Sequence, residues 1–517
     1  MRIYNTESGR KEPFEPAALP VKMYVCGLTP KNDPHLGHAR LFVVNDTIRR
    51  YLEFRGYPVR YVQNFTDVDD KIIAAGLRDG IPPAEAARRY TEGYFRDMDA
   101  LGVRRADVFT YVTEYIPRII QVVEGLIERG HAYPLDGDVY FFVPSFPPYG
   151  RLSGRDEDAM RAGARIDLDE RKRDPRDFAL WKAAKPNEPW WESPWGRGRP
   201  GWHIECSTMA LETLGEQIDI HGGATDLIFP HHENEIAQSE SFTGHVPFVR
   251  YWAHTGLLSL PDTQGGAPAE PDEAPTSDVP PGANADGERK AVKMAHSGAF
   301  VTIRSVLASA DVPAPGLRTY LLGQHYRANM VYSPEQVTAS VRRWRRWVET
   351  RSNLLRLIAW AERHAMPADT AASDEEAPLR ERLDAARERF VVAMDDDFNT
   401  SPALGTIDDV THDINDYANA LAGDSASPRQ LETLRAALAT LEDLTGVLGI
   451  ALTADTESAA PNTTQRTAIE ALVAERDAAR AGKDWALADR IRKDLDQRFG
   501  VVIKDTPQGA TWSLKEG

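Results

Sequence analysis

The sequence predicts an α/β protein: a Rossmann-type domain built on a parallel sheet, then a helical bundle and a small mixed C-terminal module. An apolar strand pattern at 21–26 precedes a helical pattern from about Gly37 to Phe54, and a second strand pattern follows at 57–64. Strand, helix and strand in that order form a βαβ unit, which implies a parallel sheet. Helical periodicity dominates beyond Gly316, and 517 residues are too many for one hydrophobic core.

The regions after this unit predict further strands, an insertion and a loop. Residues 217–220 and 251–260 are typical of later strands of the same sheet. Residues from about 108 to 200 show no regular pattern and are rich in Trp, Pro and Arg, which indicates an insertion into the nucleotide-binding fold. Residues 261–290 are almost wholly Pro, Ala, Gly, Asp and Glu. We expect a mobile loop there, because this composition buries too little apolar surface to become ordered.

The second half of the chain is divided by two polar, Ala/Thr-rich stretches at 367–378 and 454–465, which indicate linkers. Between them Ser401 is suited to cap a helix with Pro402 at its first position. Two helical segments and a strand pair (near 501–503 and 511–514) follow. We therefore expect a Rossmann-type domain at 1–315, a connecting helical domain at 316–400, a helical bundle at 401–460 and a C-terminal module at 461–517.

The composition is that of an ordinary globular protein, with 42% hydrophobic and 27% charged residues. The first residues lack the apolar run of a signal peptide, and no stretch is long enough to span a bilayer. We therefore expect a soluble, cytoplasmic protein. The formal net charge of −17 argues against non-specific binding to nucleic acid, although a local basic face remains compatible with it.

The two cysteines of the chain, Cys26 and Cys206, indicate a metal site or simple burial, because a reducing compartment disfavours a disulfide. His231 and Glu235 lie four residues apart and would share one face of a helix. Two thiolates, an imidazole and a carboxylate can form a zinc site. These residue types alone leave open whether such a zinc ion would be structural or would bind a substrate.

The segment Pro34–His38 follows the first predicted strand and opens the first predicted helix. Free backbone amides and the helix dipole at such an N-terminus favour a phosphate group. Gly37 allows a planar ring to approach the backbone, while His35 and His38 can donate hydrogen bonds to phosphate oxygens. Two nearby histidines taken alone are more often surface residues or metal ligands, so this segment by itself does not decide the function.

Several segments resemble the signatures of one family, the cysteinyl-tRNA synthetases, within the class I aminoacyl-tRNA synthetases. Residues 34–38 are similar to the HIGH signature of class I. The other matching segments are spread over nearly the whole chain: Met23–Gly27, Asn64–Lys71, Gly201–Cys206, Asp219–Glu235, Met394–Thr400 and Asp505–Gly509. The resemblance implies a class I synthetase fold and an enzyme that activates L-cysteine with ATP and transfers it to tRNA(Cys).

The resemblance also implies roles for particular residues. One Zn²⁺ per chain would be held by Cys26, Cys206, His231 and Glu235 and would bind the substrate thiol. Zinc would separate cysteine from serine because sulfur is the softer ligand and ionises far more readily. A merely shaped pocket separates near-isosteres by only about 10–200-fold. The remaining implied contacts are to the amino acid from Thr66, Trp202 and His221, and to ATP or the adenylate from Gly37, His38 and Asp226.

The family has a second phosphate-binding loop, the KMSKS loop, and here the segment 293–297 stands in its place. Lys293 is present, but His296 replaces the second lysine. A lysine is fully charged at neutral pH, whereas a free histidine is mostly neutral near pH 7. Together with His35 and His38, these two residues would stabilise the charge that develops on ATP, and Mg²⁺ would accompany the leaving pyrophosphate.

Two other functions remain open from the sequence. A ligase that passes cysteine to an amino sugar, as in mycothiol biosynthesis, is similar but shortened at its tRNA-binding end, whereas this chain keeps its helical region. A weakened tRNA-binding paralogue would be consistent with His296. The basic run Arg342–Arg346 is either an RNA-binding surface or an ordinary solvated helix face. The resemblance implies that 401–460 binds tRNA and that 461–517 reads the anticodon, and we expect a monomer.

Replacing His296 by lysine is expected to raise the rate of cysteine-dependent ATP–pyrophosphate exchange, by roughly tenfold, because a fixed charge would then face the phosphates. The same substitution should flatten the pH profile near neutrality, since a lysine does not titrate there. The measurement is the exchange rate of both proteins across about two pH units either side of 7. An unchanged exchange rate together with an unchanged pH profile would contradict the prediction that His296 slows the exchange and makes it pH-dependent.

Overall fold

The structure is a computed structural model that describes residues 1–155, 171–186, 188–261, 291–293, 300–366, 377–421, 425–453, 463–499, 501–506 and 509–514. The chain divides into two compact units, Met1–Leu452 and Thr453–Gly517. The predicted mobile loop, apart from Pro261, lies outside the described residues, as do His296 and most of both predicted linkers. None of the helices in the described part of the chain is both long and apolar enough to cross a lipid bilayer.

Up to residue 261 the described chain alternates strands with helices. Its elements are β1 (Arg2–Asn5), β2 (Arg10–Pro13), β3 (Val21–Leu28), α1 (Leu36–Phe54), β4 (Val59–Phe65), α2 (Asp70–Asp79), α3 (Pro83–Ala100), β5 (Val108–Tyr111), α4 (Val112–Glu128), β6 (Ala132–Leu135), β7 (Asp138–Phe141), β8 (Phe178–Ala183), β9 (Gly198–Pro200), α5 (Trp202–Leu214), β10 (Ile218–Ala224), α6 (Glu233–Thr243), β11 (Val249–Thr255) and β12 (Leu258–Pro261).

Five of these strands form a parallel sheet in the order β11-β10-β3-β4-β5. Most side chains of β3 are buried, as expected for a strand that is covered on both faces of the sheet. β4 and β5 add to one side of β3, whereas β10 and β11 add to the other side. The predicted α/β class with a Rossmann-type parallel sheet is confirmed.

The described part of the region from 108 to 200 contains regular strands and a helix, in contrast to the prediction of an irregular region. β5 pairs in parallel with β4 and forms the edge of the central sheet. After α4, the strands β6, β7, β8 and β9 form a separate antiparallel sheet. No alternating pattern is visible in the sequence because each strand is only three to six residues long. The described residues after β5 thus include a second sheet, separate from the parallel one.

The segment 251–260 was predicted as one strand of the central sheet, and this is wrong. β11 ends at Thr255, and β12 belongs to another sheet, in the order β13-β12-β14. The break lies at Gly256, where an added Cβ would stand 2.4 Å from the carbonyl oxygen of Ala328. The amide of Gly256 donates to Tyr326 O at 2.8 Å. This close approach of two backbones diverts the chain out of the sheet.

Beyond residue 290 the described chain is mainly helical. Its elements are β13 (Ala291–Lys293), α7 (Ile303–Leu307), α8 (Ala314–Leu321), β14 (Met330–Val331), α9 (Pro334–Arg363), α10 (Ala377–Asp395), α11 (Thr400–Ala420), α12 (Pro428–Val447), α13 (Thr463–Ala481), α14 (Trp485–Phe499), β15 (Val501–Thr506) and β16 (Gly509–Leu514). α11 begins earlier than predicted: Asn399 is its N-cap, and Ser401 already lies in its first turn.

The basic run Arg342–Arg346 lies on α9, and its tryptophan is not exposed. Trp344 is 3% exposed and donates from Nε1 to Ala451 O at 2.7 Å. Arg343 pairs with Asp408 at 2.6 Å. This ring is therefore not available to stack on unpaired bases, because it packs in the core of the first unit. The exposed arginines of the run remain on a solvent-facing side of α9.

The short acidic segment before α11 joins the helical region to the parallel-sheet region. Asp397 is wholly buried, and its carboxylate accepts from the amide of Tyr4 at 2.8 Å, the hydroxyl of Tyr326 at 2.9 Å and Nε of Arg327 at 2.7 Å. The neighbouring Asp396 is about half exposed and pairs with Lys11 at 2.7 Å. Asp397 thus joins the two regions through buried hydrogen bonds, whereas Asp396 forms an ion pair at the surface.

The second unit has its own small core. α13 and α14 pack against the antiparallel pair β15 and β16, and the buried side chains include Ile469, Leu495, Val501 and Ile503. The two helices and the strand pair predicted for the end of the chain are confirmed.

Replacing Asp397 by alanine should destabilise the first unit by about 3–5 kcal/mol, because it leaves the paired guanidinium of Arg327 and the donors of Tyr4 and Tyr326 without their acceptor. Replacing Asp396 by alanine is the matched control and should cost between zero and about 1 kcal/mol, since exposed pairs are screened. Urea unfolding followed by tryptophan fluorescence measures both. Equal losses for the two variants would show that the buried junction is not the stabilising element.

Candidate metal and nucleotide site

Nine of the predicted site residues line one cleft at the carboxyl ends of the parallel strands. The cleft has a volume of about 620 Å³ and opens between β3 and β10, the strands at which the order of the sheet reverses. Crevices at this position are the usual ligand sites of open α/β sheets. The predicted residues that line it are Cys26, His35, Gly37, His38, Thr66, Trp202, Cys206, Asp226 and His231.

The four predicted metal ligands come together from four elements. Cys26 lies on β3, Cys206 on α5, His231 on the helical turn Ile228–His232, and Glu235 on α6. The Sγ atoms of the two cysteines are 3.8 Å apart, Cys26 Sγ lies 3.5 Å from Glu235 Oε1, and His231 Nε2 lies 3.0 Å from the same oxygen. All four side chains are nearly or wholly buried.

The spacing of these atoms fits a tetrahedral metal. Two sulfur ligands about 2.3 Å from a tetrahedral zinc ion lie about 3.8 Å apart, and a sulfur and an oxygen ligand lie about 3.6 Å apart. The observed separations of 3.8 Å and 3.5 Å agree with these values. The 3.0 Å between His231 Nε2 and Glu235 Oε1 is a hydrogen-bond distance, shorter than the separation of about 3.4 Å between nitrogen and oxygen ligands of a tetrahedral ion. Two sulfur donors with one nitrogen and one oxygen donor are typical of zinc rather than magnesium or calcium. The residues present therefore fit such an ion.

His232 is a further donor beside this cluster that the sequence reasoning missed. It is wholly buried, and Cys26, His231, His232 and Glu235 have donor atoms within 4.8 Å of one another. His232 Nδ1 contacts His254 Nε2 at 2.8 Å, whereas His232 Nε2 has no hydrogen-bond partner among the described residues. The sequence offered one signal for it, the local concentration of histidines: six of the 13 lie between 203 and 254.

The residues predicted to hold the amino acid occupy two different depths. Trp202 is 38% exposed and stacks on the ring of His231, with centroids 4.3 Å apart. Thr66 lines the cleft and donates from Oγ1 to Glu205 Oε2 at 3.1 Å. His221 does not line the cleft: it is wholly buried, and its Nε2 donates to Glu235 Oε2 at 2.9 Å. His221 thus contacts Glu235, a proposed metal ligand, through Oε2, whereas Cys26 and His231 contact Oε1.

The two histidines at the start of α1 form one fixed unit. Their rings are stacked with centroids 3.7 Å apart, and His35 Nδ1 accepts from the amide of Gly37 at 3.1 Å. The amide of His35 in turn donates to His38 Nδ1 at 3.3 Å. Because each Nδ1 accepts from the backbone, each Nε2 is the nitrogen that carries the hydrogen. Burial holds the pKa of His38 well below its usual range, so this ring is a neutral donor.

Gly37 makes this arrangement possible, because an added Cβ would stand 2.9 Å from Cε1 of His35. Asp226 also lines the cleft, two residues after the end of β10. The cleft is also lined by three cationic residues to which the sequence analysis gave no role: Lys31, Lys71 and Arg78. No spacing in the sequence distinguishes them from other surface cations.

The second phosphate-binding segment is described only in part. The backbone of Lys293 ends β13 and pairs with Ser259 of β12. β12 also supplies Leu258 to the wall of the cleft. His296 lies outside the described residues. The roles of Lys293 and His296 therefore stay predictions.

Three known protein domains match consecutive segments of the chain. The sequence pattern described as the tRNA synthetases class I (C) catalytic domain matches residues 14–264, the DALR domain matches 389–453, and the cysteinyl-tRNA ligase anticodon binding domain matches 466–512. A cysteine–tRNA ligase of Heliobacterium modesticaldum is 44% identical over 513 residues, which are 99% of each chain. The chain belongs to the cysteine–tRNA ligase family.

Other members of the family match equally completely. The cysteine–tRNA ligase of Desulforudis audaxviator is 45% identical over 524 residues, or 99% of each chain, and that of Pelotomaculum thermopropionicum is 44% identical over the full length of both. The resemblance to cysteinyl-tRNA synthetases is thereby confirmed. A solved methionyl-tRNA synthetase of Mycobacterium tuberculosis shares the fold, with a TM-score of 0.57 at 15% identity over 83% of this chain and 90% of its own.

Charges within the cluster of proposed metal ligands are set by burial and by the neighbouring groups. Burial opposes protonation of His231, but the Cys206 thiolate and the Glu235 carboxylate outweigh it and raise the pKa of His231 to about 10. Burial alone would raise the pKa of Glu235, but His221 and His231 lower it to about 2. A hydrogen bond from Cys26 lowers the pKa of Cys206 to about 6, whereas burial raises the pKa of Cys26 itself.

Addition of Zn²⁺ to the metal-free protein at neutral pH should release about two protons, because metal ligands bind deprotonated. These protons come from Cys26 and His231, whose pKa values lie above 7, whereas Cys206 and Glu235 are already ionised. Zinc affinity should accordingly rise as the pH increases above 7. Calorimetric titration in buffers of different ionisation enthalpy counts the protons. Release of none would show that the cluster does not bind the metal through these groups.

Proposed function

We propose that this chain activates L-cysteine with ATP to cysteinyl-adenylate and transfers the cysteine to tRNA(Cys), with zinc selecting the substrate thiol. One observation supports this most directly: Cys26, Cys206, His231 and Glu235 meet beside the same cleft that the paired histidines of α1 line. A thiol-selective metal site and a phosphate-binding helix start thus face one substrate-sized space. Membership of the cysteine–tRNA ligase family supports the same reaction.

Zinc held by these four residues would supply a soft Lewis acid that prefers a thiolate sulfur to a hydroxyl oxygen. The protein itself shapes the surroundings. Trp202 covers His231 on its solvent side, which limits the access of water to the cluster. Thr66 lies on the cleft wall beside the buried Glu205, which places a fixed hydroxyl near the amino-acid end of the cleft.

The nucleotide end would be organised by the start of α1 and the end of β10. His35 and His38 donate from Nε2 to phosphate oxygens, and Gly37 keeps the backbone accessible between them. The Asp226 carboxylate accepts from the ribose hydroxyls. Lys293 would add positive charge beside the phosphates, as would His296 in its protonated form, and Mg²⁺ would accompany ATP and the leaving pyrophosphate.

The activation step requires positioning and charge stabilisation but no general base, because its nucleophile is an anion with no proton to remove. A carboxylate oxygen of cysteine attacks the α-phosphorus, the bond from that phosphorus to the pyrophosphate oxygen breaks, and pyrophosphate leaves. The histidines act in this step as neutral hydrogen-bond donors. A ribose hydroxyl at the end of the tRNA next attacks the carbonyl carbon of the adenylate, its proton passes to a phosphate oxygen of the departing AMP, and AMP leaves with the pair of electrons.

The remaining regions would bind the tRNA. The segment that matches the DALR domain lies in the helices of the first unit, and the second unit carries the match to an anticodon-binding domain. We assign anticodon recognition to residues 461–517 and contact with the tRNA body to 401–460. A cysteine ligase for amino sugars is not favoured, because the full-length relatives keep both regions and are named for tRNA. We further propose a cytoplasmic monomer.

Cys206→Ser should lower both zinc content and cysteine-dependent ATP–pyrophosphate exchange, the latter by roughly 100-fold or more, because a Lewis-acid contact is worth several kcal/mol. Thr213→Ala, about two turns further along α5, removes only a hydrogen bond to Met209 O and is the matched control. Metal content is measured by elemental analysis. Full exchange by a zinc-free Cys206→Ser protein would exclude thiol selection by the metal.

The acceptor is tested separately with wild-type protein. Charging of tRNA(Cys) is the expected result, whereas exchange without charging, combined with transfer of cysteine to an amino sugar, would support the alternative ligase. Complete absence of exchange would support the weakened paralogue.

A further inference from the structure

We propose that Asn64 is a further catalytic residue, whose side-chain amide donates a hydrogen bond to the carboxylate oxygen of cysteine that does not attack ATP. The proposal rests on the proposed function, because it takes the cleft as the site of cysteine activation. Asn64 lies near the end of β4 and lines the cleft, although it is only 2% exposed.

A bulge in the pairing of β3 with β4 determines how this side chain is held. The register of the two strands shifts between Val25 and Leu28. Two residues of β3, Cys26 and Gly27, therefore stand opposite Asn64 alone. The backbones approach so closely here that a Cβ on Gly27 would lie 1.6 Å from the carbonyl oxygen of Asn64. Bulges of this kind free a backbone amide from the regular ladder and re-aim side chains next to active sites.

The freed amide fixes which end of the Asn64 side chain faces the cleft. The amide of Gly27 donates to Oδ1 of Asn64 at 2.8 Å. Because a backbone N–H can donate only to the oxygen of a side-chain amide, this bond determines the positions of Oδ1 and Nδ2. Nδ2 makes no hydrogen bond within the described residues, yet it is not sealed from solvent. A donor of fixed orientation is therefore open to the cleft.

Asn64 lies on the face of the sheet that carries the proposed metal ligands. Side chains alternate along a strand, so Asn64 shares a face with Val62, which packs in the same hydrophobic cluster as Cys26. Gln63 points to the other face, where its Nε2 donates to the hydroxyl of Tyr94 at 2.7 Å. The open donor thus stands at the amino-acid end of the cleft, beside the strand that holds Cys26.

The chemistry of cysteine identifies the acceptor. The substrate presents a sulfur, an ammonium group and a carboxylate. The ammonium group can only donate, and zinc would bind the sulfur, so the carboxylate is the remaining acceptor for an N–H donor. A charged acceptor also makes the stronger hydrogen bond. One carboxylate oxygen attacks the α-phosphorus, and the donor is assigned to the other oxygen.

The same hydrogen bond would then act in both steps of the reaction. During activation it orients the carboxylate, and in the adenylate the bound atom becomes the carbonyl oxygen. When the ribose hydroxyl attacks the carbonyl carbon, a C–O bond forms and the π electron pair moves onto this oxygen. The pair returns as the bond to AMP breaks, and the hydroxyl proton goes to a phosphate oxygen of AMP. A fixed donor at such an oxygen typically contributes about 100–1,000-fold to the rate.

The experiment compares Asn64→Asp with the matched control Gln63→Glu. Each substitution replaces an amide by a carboxyl group of the same shape on β4. At Asn64 the new group still accepts from the Gly27 amide, so only the donor is lost. Gln63 is buried to the same extent and faces away from the cleft, and the hydroxyl of Tyr94 can donate to its replacement. Zinc content and urea unfolding establish that each variant is folded and holds its metal.

Two analogues of the adenylate test the contact itself. Cysteinyl-sulfamoyl adenosine keeps the carbonyl oxygen, whereas cysteinol adenylate carries a methylene group in its place. Asn64→Asp should bind the first analogue at least about tenfold more weakly than wild type and the second within about threefold. Its transfer of cysteine to tRNA(Cys) in a single turnover should slow by about 100-fold or more. Gln63→Glu should resemble wild type in all three measurements.

Equal weakening of both analogues by Asn64→Asp would overturn the proposal, because the amide would then contact some other group. An unchanged rate of transfer would overturn it as well. The wild-type protein alone should prefer the carbonyl analogue by at least about tenfold, and absence of this preference remains decisive if the aspartate variant does not fold. A wild-type protein that binds neither analogue would instead contradict the proposed activation of cysteine, and the role of Asn64 with it.

Discussion

Glu235 has no access to water, and a carboxylate in such a place must be compensated by its neighbours. Its compensation comes from His221 on β10 and His231 on the turn before α6, with Cys26 of β3 beside them. These groups reach the carboxylate only if the two strands and the two helices around it are assembled together. Because the buried carboxylate must be compensated by these neighbours, assembly of the domain core and assembly of the proposed metal site depend on each other.

The order of the strands explains why this cluster lies beside a nucleotide cleft. β3 and β10 are neighbours in the sheet, with Tyr24 opposite His221, although they are far apart in the sequence. The helices that follow them leave on opposite sides of the reversal point, so a crevice remains between their starts. The residues after β3 supply the paired histidines, and those after β10 supply Asp226. One topological feature thus places the residues proposed for thiol selection and those proposed for phosphate binding around a single cleft.

Local patterns were enough to predict the elements that form this centre. The strand at Cys26, the helix that His35 begins and the pairing of His231 with Glu235 follow from short-range periodicity and residue type. The break at Gly256 did not, because it depends on the backbone of Ala328. The burial of Trp344 likewise depends on Ala451, more than 100 residues away. Contacts between distant segments leave no trace in local periodicity.

His232 was not predicted for the same reason, whereas the proposed ligands were. His231 belongs to a pattern of chemically distinct residues, but the role of the buried His232 depends only on the atoms that it faces. His232 is an example: its neighbour in sequence, His231, is a proposed ligand, yet the Nδ1 atom of His232 contacts His254 on β11. Sequence predicts a donor set by type, and only the fold distinguishes the donors from the groups that orient them.

α1 connects this centre to the helical region. Its first turn contains the paired histidines, and near its middle Asp46 pairs with Arg318 of α8, with both side chains buried. Arg318 also donates to Leu448 O at 2.8 Å, at the end of α12. Near the end of α1, Tyr51 donates to Asp395 Oδ1 at 2.6 Å. Separating the buried pair would leave a charge without compensation, so the helical region and the phosphate-binding turn are held in one fixed relation. The part of the chain proposed to bind the tRNA body is therefore held at a fixed position relative to the proposed site of amino-acid activation.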